Sequence, residues 1–241
     1  MKTCTKTTCG GLPLAITFAL SMFWLSSPAR VDAETKVPVH PGMAIHQAQT
    51  ACTLGFVETR LRMAITVGRC SGLAVIRDGQ QNVVGTVVRT SHDVASAQFA
   101  TSPPPAVGYQ VIALGAHVSA TDTLPNGRQL RIAPGVAVQP GLAVCHLQAP
   151  AGESCGSVAA VSNGRFVIPG TTVGDRELGG PVYTVAADNS AVLVGLLERD
   201  AVGAVEASSW RAVMQQLAAD ARALSPPQPA VRLVSIAGPR A

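Results

Sequence analysis

Short runs of β-branched and apolar residues alternate with Gly, Pro, Asn and Asp along most of this chain. That is the pattern of many brief strands separated by turns. Ala51 to Val57 and Arg62 to Val67 read as paired strands around Glu58-Thr59. Leu73 to Arg77, Asn82 to Arg89, Ala95 to Phe99 and Val107 to Leu114 follow, with Ser102-Pro103-Pro104-Pro105 as a rigid extended loop between the last two. Pro134-Gly135 and Pro140-Gly141 bracket a strand over Val136 to Gln139. Ala143 to Leu147, Gly156 to Ser162 and Arg165 to Ile168 continue the series, the last two joined by Asn163-Gly164 in a tight hairpin turn. Pro181 to Val185 and Ala191 to Leu197 are joined around Asp188-Asn189. The spacing changes once, near the end. Trp210, Val213, Met214, Leu217 and Leu224 recur at helical intervals, Ser208 or Ser209 is placed to cap the first amides, and Pro226-Pro227 stops the run. The pattern predicts an all-β barrel or sandwich with one C-terminal helix.

The first residues read differently. Lys2 and Lys6 precede an uncharged apolar run from Leu12 to Leu25, and Ser27-Pro28-Ala29 and Val31-Asp32-Ala33 both offer small-residue cleavage sites, of which the second is favoured. A secretory signal over 1–33 is expected. The apolar run falls short of the ~18 residues a spanning helix wants, so no stable transmembrane segment is expected after cleavage. Cleavage after Ala33 would leave 208 of the 241 residues, with 15 Lys and Arg against 13 Asp and Glu. No basic run accompanies that small excess, which argues against nucleic acid as a partner.

Cys4 and Cys9 belong to the leader, leaving Cys52, Cys70, Cys145 and Cys155. An even count behind a signal predicts two disulfides in an oxidising, extracytoplasmic compartment: the cell envelope or the medium. The residues alone allow three pairings, of which nearest neighbours close the shortest loops. Zinc is not indicated, because no CxxC pair exists and His146 beside Cys145 lacks companions. His40, His46, His117 and His146 are scattered without metal-ligand spacing, and no cofactor is implied.

Several segments, in order, carry a resemblance. Cys52-Thr53-Leu54-Gly55-Phe56 is similar to an opening strand of the trypsin-like serine proteases, small secreted bacterial branch. Thr66-Val67-Gly68-Arg69-Cys70 resembles their T-A-G-H-C motif. Asp93-Val94-Ala95 resembles the strand bearing the catalytic aspartate, and Gly174 to Tyr183 resembles G-D-S-G-G-P-x-Y. Cys52 with Cys70 and Cys145 with Cys155 match two disulfides of that branch; its common third disulfide has no counterpart. The resemblance implies two packed six-stranded antiparallel Greek-key barrels, over about 45–118 and 128–205, with a helix over about 209–224. The whole domain would span 34–224, leaving 225–241 as a Pro-bearing tail in which Val231 to Ile236 is a candidate edge strand.

The chemistry of that family needs a nucleophile, an imidazole base and a carboxylate that orients it. In this chain Arg69 stands at the imidazole position, and a guanidinium does not give up its proton near neutrality. Anchoring on Gly179-Gly180-Pro181 places Leu178 at the nucleophile position; anchoring on Gly174-Asp175 places Arg176 there, with a two-residue insertion. Neither register supplies a hydroxyl or thiol. Asp93 is the remaining triad candidate, either a turn residue or an ion-pair partner of Arg69. His92 beside it would point to the opposite face of a strand. Gly179 and Gly180 are the candidate oxyanion loop, or else glycines that allow a close chain approach. Val194 to Glu206 lacks the family's Ser-Gly-Gly pattern. The expectation is a secreted, catalytically inactive protease homologue that serves as a binding or structural module, its partner a peptide or envelope protein. The alternative is an active serine hydrolase of non-standard arrangement, using Ser154 or Ser157.

Overall fold

A computed structural model describes residues 36–70, 72–91, 107–133, 135–148, 152–201 and 203–224. The expected leader, His92, Asp93 and the tail 225–241 lie outside them. No helix among the described residues is long and apolar enough to cross a membrane.

The first half of the fold contains β1 (Val37–Val39), β2 (Ala44–Gln47), β3 (Thr50–Thr53), β4 (Phe56–Glu58), β5 (Met63–Val67), β6 (Val75–Asp78), β7 (Val83–Thr90), β8 (Tyr109–Leu114) and β9 (Val118–Ala120). Seven of these form one sheet in the order β3-β2-β6-β7-β8-β5-β4, and β1 pairs in parallel with β9. The second half contains β10 (Leu130–Arg131), β11 (Ala143–Gln148), β12 (Gly152–Ser157), β13 (Ala160–Ser162), β14 (Arg165–Pro169), β15 (Pro181–Val185), β16 (Ala191–Ala201) and β17 (Ala204–Ser209). Its sheet runs β12-β11-β15-β16-β17-β14-β13, with β10 added beside β16. The helix α1 (Trp210–Ala223) ends the described chain, and the Ser209 hydroxyl accepts the Ala212 amide as its N-cap.

The two closed six-stranded barrels implied by the resemblance are not what forms. Each half is a curled, open sheet. The reason is a bent segment in each. Ala51 to Val57, read from sequence as one strand, is divided at Leu54-Gly55 into β3 and β4, the two opposite edges of the first sheet. The Leu54 amide still bonds the β2 side, at Met43 O (2.9 Å), whereas the Gly55 amide bonds Ile65 O in β5 (2.9 Å). The second half repeats this. Gly156 to Ser162 is divided at Val158-Ala159 into β12 and β13, with Val158 N–H on Leu142 O (2.9 Å) and Ala159 N–H on Val167 O (2.8 Å). Both edges of each sheet belong to one continuous segment, so no ladder joins them.

Val136 to Gln139 also departs from expectation. It forms no strand and runs as an irregular wall beside α1. The Asn163-Gly164 turn does join β13 to β14.

Three apolar clusters hold the fold. One fills the first sheet around Leu54, Ile76 and Ile112. Another fills the second sheet around Phe166, Ile168 and Leu197. The third includes Phe56, Tyr109, Tyr183, Leu196 and Trp210, joining residues of both halves and the helix. The Phe56 and Trp210 rings meet at 5.3 Å with a 54° tilt, within the range of favourable aromatic pairs. The helix docks through Trp210, Val213 and the buried Asp220; Met214 and Leu224, read as part of the same stripe, stay exposed.

Candidate functional site

β5 runs into Gly68-Arg69-Cys70, and the Cys52–Cys70 disulfide fastens that turn to β3. β3 in turn is stitched to the second half. The Thr53 amide donates to Leu178 O (2.8 Å), and the Thr53 hydroxyl donates to Arg176 O (2.7 Å). The buried Thr66 hydroxyl donates to Thr53 O (2.8 Å), and Cys70 Sγ lies 3.8 Å from Leu178 O. The fold therefore brings Arg69, Arg176, Leu178, Gly179 and Gly180 to one place. Arg69 and Arg176 are exposed there. Asp93, the third expected member, lies outside the described residues, so its pairing with Arg69 stays an expectation.

Leu178 is half-buried and packs against the apolar clusters of both sheets. It bridges two cores where an attacking group would need to stand free. The backbone around it is equally committed. Asp175–Glu177 forms a 3₁₀ turn. The Glu177 amide bonds Gly174 O (2.9 Å), the Leu178 amide approaches Asp175 O (3.4 Å), and the Glu177 carboxylate accepts the Gly174 amide (3.0 Å). The Gly179 amide bonds Leu197 O (2.8 Å) and the Gly180 amide bonds Glu177 O (3.0 Å). An oxyanion hole needs amides aimed at an empty position. The two candidate glycines do not provide them here.

Close approach explains Gly179. Its φ is +87°, and a Cβ built on it would lie 2.0 Å from Thr66 Oγ1 and 2.6 Å from Thr53 O. Gly55 is placed for a similar reason: a Cβ there would meet Leu196 Cδ2 at 2.2 Å and Gly179 O at 2.5 Å. The two glycines let the bend of the first sheet touch the 174–180 loop backbone to backbone.

The structure also places a base nearer to Ser154 than the sequence suggested. His146 on β11 faces Ser154 on β12 in the ladder. Its ring is fully buried, Nδ1 lies 3.3 Å from Leu147 O, and Nε2 has no hydrogen-bond partner. Burial holds its pKa below the usual imidazole value, although the Leu147 carbonyl and the charge of Glu177 act the other way. A working nucleophile must reach its base through a hydrogen bond. Ser154 makes none to this ring, so the two do not form a dyad. Ser157 is exposed at the end of β12.

The second disulfide, Cys145–Cys155, joins β11 to β12. Cys145, Cys155 and Glu153 lie close enough to suggest a metal cluster, but both sulfurs are consumed by the disulfide. Glu153 itself accepts from Arg128, Tyr183 and Asn126. Elsewhere, Arg165 lies 2.7 Å from buried Glu198, and Arg199 pairs with Glu206. The Arg165 Nε–H is not aimed at that oxygen, so charge rather than a hydrogen bond joins that pair.

Sequence reasoning missed Asp220. It is buried on α1, accepts from the Tyr109 hydroxyl (2.6 Å) and from Gln216 (2.8 Å), and ties the helix to β8. Burial and that carboxylate push the Tyr109 hydroxyl pKa up. An aspartate at helical spacing from Trp210, Val213 and Leu217 was the available signal.

No family model matches the chain. Among solved structures, a glutamic acid specific serine protease superposes with a TM-score of 0.53 at 19% identity, over 75% of this chain and 97% of the other. The chymotrypsin of Cellulomonas bogoriensis gives 0.52 at 20% identity, over 75% and 96%. Protease A of Thermobifida fusca gives 0.53 at 16% identity, over 76% and 97%. At these identities the likeness shows the fold: trypsin-like, of the kind found in bacterial serine proteases. In sequence, the chain is 35% identical over 195 residues to "Uncharacterized protein Rv1815" of Mycobacterium tuberculosis, covering 80% of this chain and 88% of that protein. The protein MT1863, from another strain of that species, matches to the same extent. The chain belongs to the family of Rv1815, built on a trypsin-like fold.

Proposed function

We propose that this protein is a secreted, non-catalytic member of the trypsin-like fold that acts by binding, with a peptide or an envelope protein as its partner. One observation carries this most directly: at the nucleophile position Leu178 packs into the cores of both sheets, inside a turn whose neighbouring amides already hold carbonyls. Acyl transfer would need a hydroxyl or thiol there, a base beside it and free donors in front of it. Arg69 supplies no base, and His146 is enclosed without a bond to Ser154. The apolar leader and the two disulfides support an extracytoplasmic location.

Treating the purified protein with a fluorophosphonate probe, and assaying peptide and ester substrates in parallel, tests the catalytic half. No covalent uptake and no turnover are expected. Uptake that disappears on Ser154→Ala or Ser157→Ala would establish the alternative, a hydrolase of non-standard arrangement. N-terminal sequencing of protein recovered from the producing cell's envelope and medium tests the location. A mature terminus at Glu34 is expected, and full-length protein confined to the cytoplasm would refute secretion.

A further inference from the structure

The described residues leave one sizeable apolar groove outside the candidate site. It has a volume of about 600 Å³ and lies between α1, the irregular wall after β10 and the middle of β13. Val136, Val138, Val161 and Met214 line it, together with the buried Leu193 and Trp210. Its charged lining has one sign. Arg211 stands in the first turn of α1 and Arg222 in the last, and the helical repeat sets both on one face with Met214 and Ala218 between them. Neither arginine has an ion-pair partner among the described residues, and no Asp or Glu lines the groove. The edge of β13 adds a second feature. It pairs with β14 alone, at the end of its sheet, and Ala160, Val161 and Ser162 are all exposed. Asn163 and Gly164 have φ of +49° and +75°, the two-residue turn in which the flanking Ser162 and Arg165 bond each other. Antiparallel alternation then points the N–H and C=O of Val161 away from β14, and no backbone bond among the described residues reaches them. The Val161 side chain enters the groove, whereas Ala160 and Ser162 line a depression on the opposite face. Neither charge nor proline guards this edge.

We propose that β13 and the groove together dock an extended, acidic segment of a partner protein, which adds to the sheet as a strand beside β13. An added strand lies about 4.8 Å from its neighbour, so its alternate side chains share the face of Val161 and enter the groove. Those side chains are apolar, to match Val136, Val138 and Met214. Asp or Glu residues flanking them meet Arg211 and Arg222, whereas a basic segment meets like charge at both ends of α1. Backbone bonds to Val161 supply affinity, the groove selects alternate side chains, and the arginines select the sign of charge. Other occupants fit less well. A lipid tail would leave the strand edge unpaired, and a second copy docked groove to groove would set arginine against arginine. The proposal shares with the function above only the claim that the protein binds. No residue of the 174–180 loop lines the groove, so the docking site stands whether or not the protein proves catalytic.

Fluorescence anisotropy with the purified protein and two labelled synthetic peptides tests it. One peptide is Asp-Val-Ser-Val-Ser-Val-Glu; the other carries Lys at both ends instead. The acidic peptide should bind at least about tenfold more tightly than the basic one. Arg211→Gln combined with Arg222→Gln should reduce that preference to less than about twofold, at exposed helical positions where Gln is as good a helix former as Arg. Strand addition is read from the peptide itself. Of two acidic versions N-methylated on alternate amides, one should lose at least about tenfold in affinity and the other little, because only one set of amides faces β13. Equal affinities of those two versions would overturn the proposal, as would a charge preference unchanged by the arginine variants. Absence of binding by either peptide at about 1 mM would overturn it as well. Binding of phosphatidylglycerol vesicles in place of the peptide would assign the groove to a lipid surface, and a dimer lost on Val161→Asp would assign it to a second copy; either refutes the proposal. None of these outcomes alters fluorophosphonate uptake, so this docking site and the non-catalytic reading fail separately.

Discussion

The bend at Leu54-Gly55 in the first sheet is buried against the second half, whereas the bend at Val158-Ala159 in the second sheet leaves Ala159 and all of β13 exposed. The same device, one segment serving as both edges of a curled sheet, thus meets two environments. In the first sheet it adjoins Gly179 and the carbonyls of Arg176 and Leu178. In the second it adjoins solvent. The disulfides follow suit. Cys52 and Cys70 are both buried, while Cys155 is exposed. The candidate site therefore owes its rigidity to the buried bend, and the two halves should respond unequally to equivalent changes.

The largest difference is expected at the bends themselves. Gly55→Val and Gly179→Val force a branched side chain into backbone contacts, and each should cost about 4 kcal/mol or prevent folding. Ala159→Val, the same branched side chain at the open bend, should stay within about 0.5 kcal/mol. Urea denaturation of the three variants checks this; equal losses would break the comparison.

Next come the disulfides. Replacing both Cys52 and Cys70 with Ala should cost about 3 to 5 kcal/mol, since loop entropy and buried packing are both lost. The Cys145 and Cys155 pair should cost about 2 to 3 kcal/mol, nearer the loop term alone. Under graded reductant, alkylation should capture Cys155 before Cys70. The reverse order would contradict the assigned burial.

Two buried groups, one in the second sheet and one between the first sheet and the helix, should differ in the sign of their pH response. Buried His146, in the second sheet, has a lowered pKa. Its neutral form favours folding above the unfolded value of about 6.5, and stability falls as pH drops below it, by up to about 1.4 kcal/mol per pH unit for one proton. Tyr109, between the first sheet and the helix, has a raised pKa, so its share of stability is present below about 10 and is lost as pH rises past the unfolded value. His146→Gln should flatten the acid limb of a melting-temperature profile, and Tyr109→Phe the alkaline limb. Tyr183, also raised, leaves a residual alkaline slope in the second variant.

The smallest expected effect is on activity. Introducing an imidazole and a hydroxyl alone, with Arg69→His and Leu178→Ser together, should yield no turnover, because the Gly179 and Gly180 amides remain tied to Leu197 O and Glu177 O. Measurable ester hydrolysis by that double variant would show that the turn reopens, and would separate the effect of those two side chains from that of the closed backbone.

Short β-branched and apolar runs between turn residues located many strand segments, and helical spacing located α1. The alternation of Val-rich segments with Gly and Asn turns carries that information locally. The bends were not legible, because Leu54-Gly55 and Val158-Ala159 sit inside continuous apolar stretches. What divides them is a change of hydrogen-bond partner, and local propensity does not encode partners. The clustering of Arg69, Leu178, Gly179 and Gly180 was legible through a resemblance spread over distant segments. The amide bonds that close the glycine turn were not. They depend on Leu197 and Glu177 meeting the loop in three dimensions. His146 was visible as a residue, but its enclosure depends on strands it pairs with across the ladder.

The Tyr109 hydroxyl reaches a carboxylate 111 positions later in the chain. A polypeptide emerging from its N-terminus can assemble much of the first sheet early, yet that tyrosine stays without its buried acceptor until the final helix arrives. A chain shortened before Asp220 should leave β8 of the early half loose and vulnerable to proteases. Completion of the molecule is thereby tied to delivery of its last helical turns.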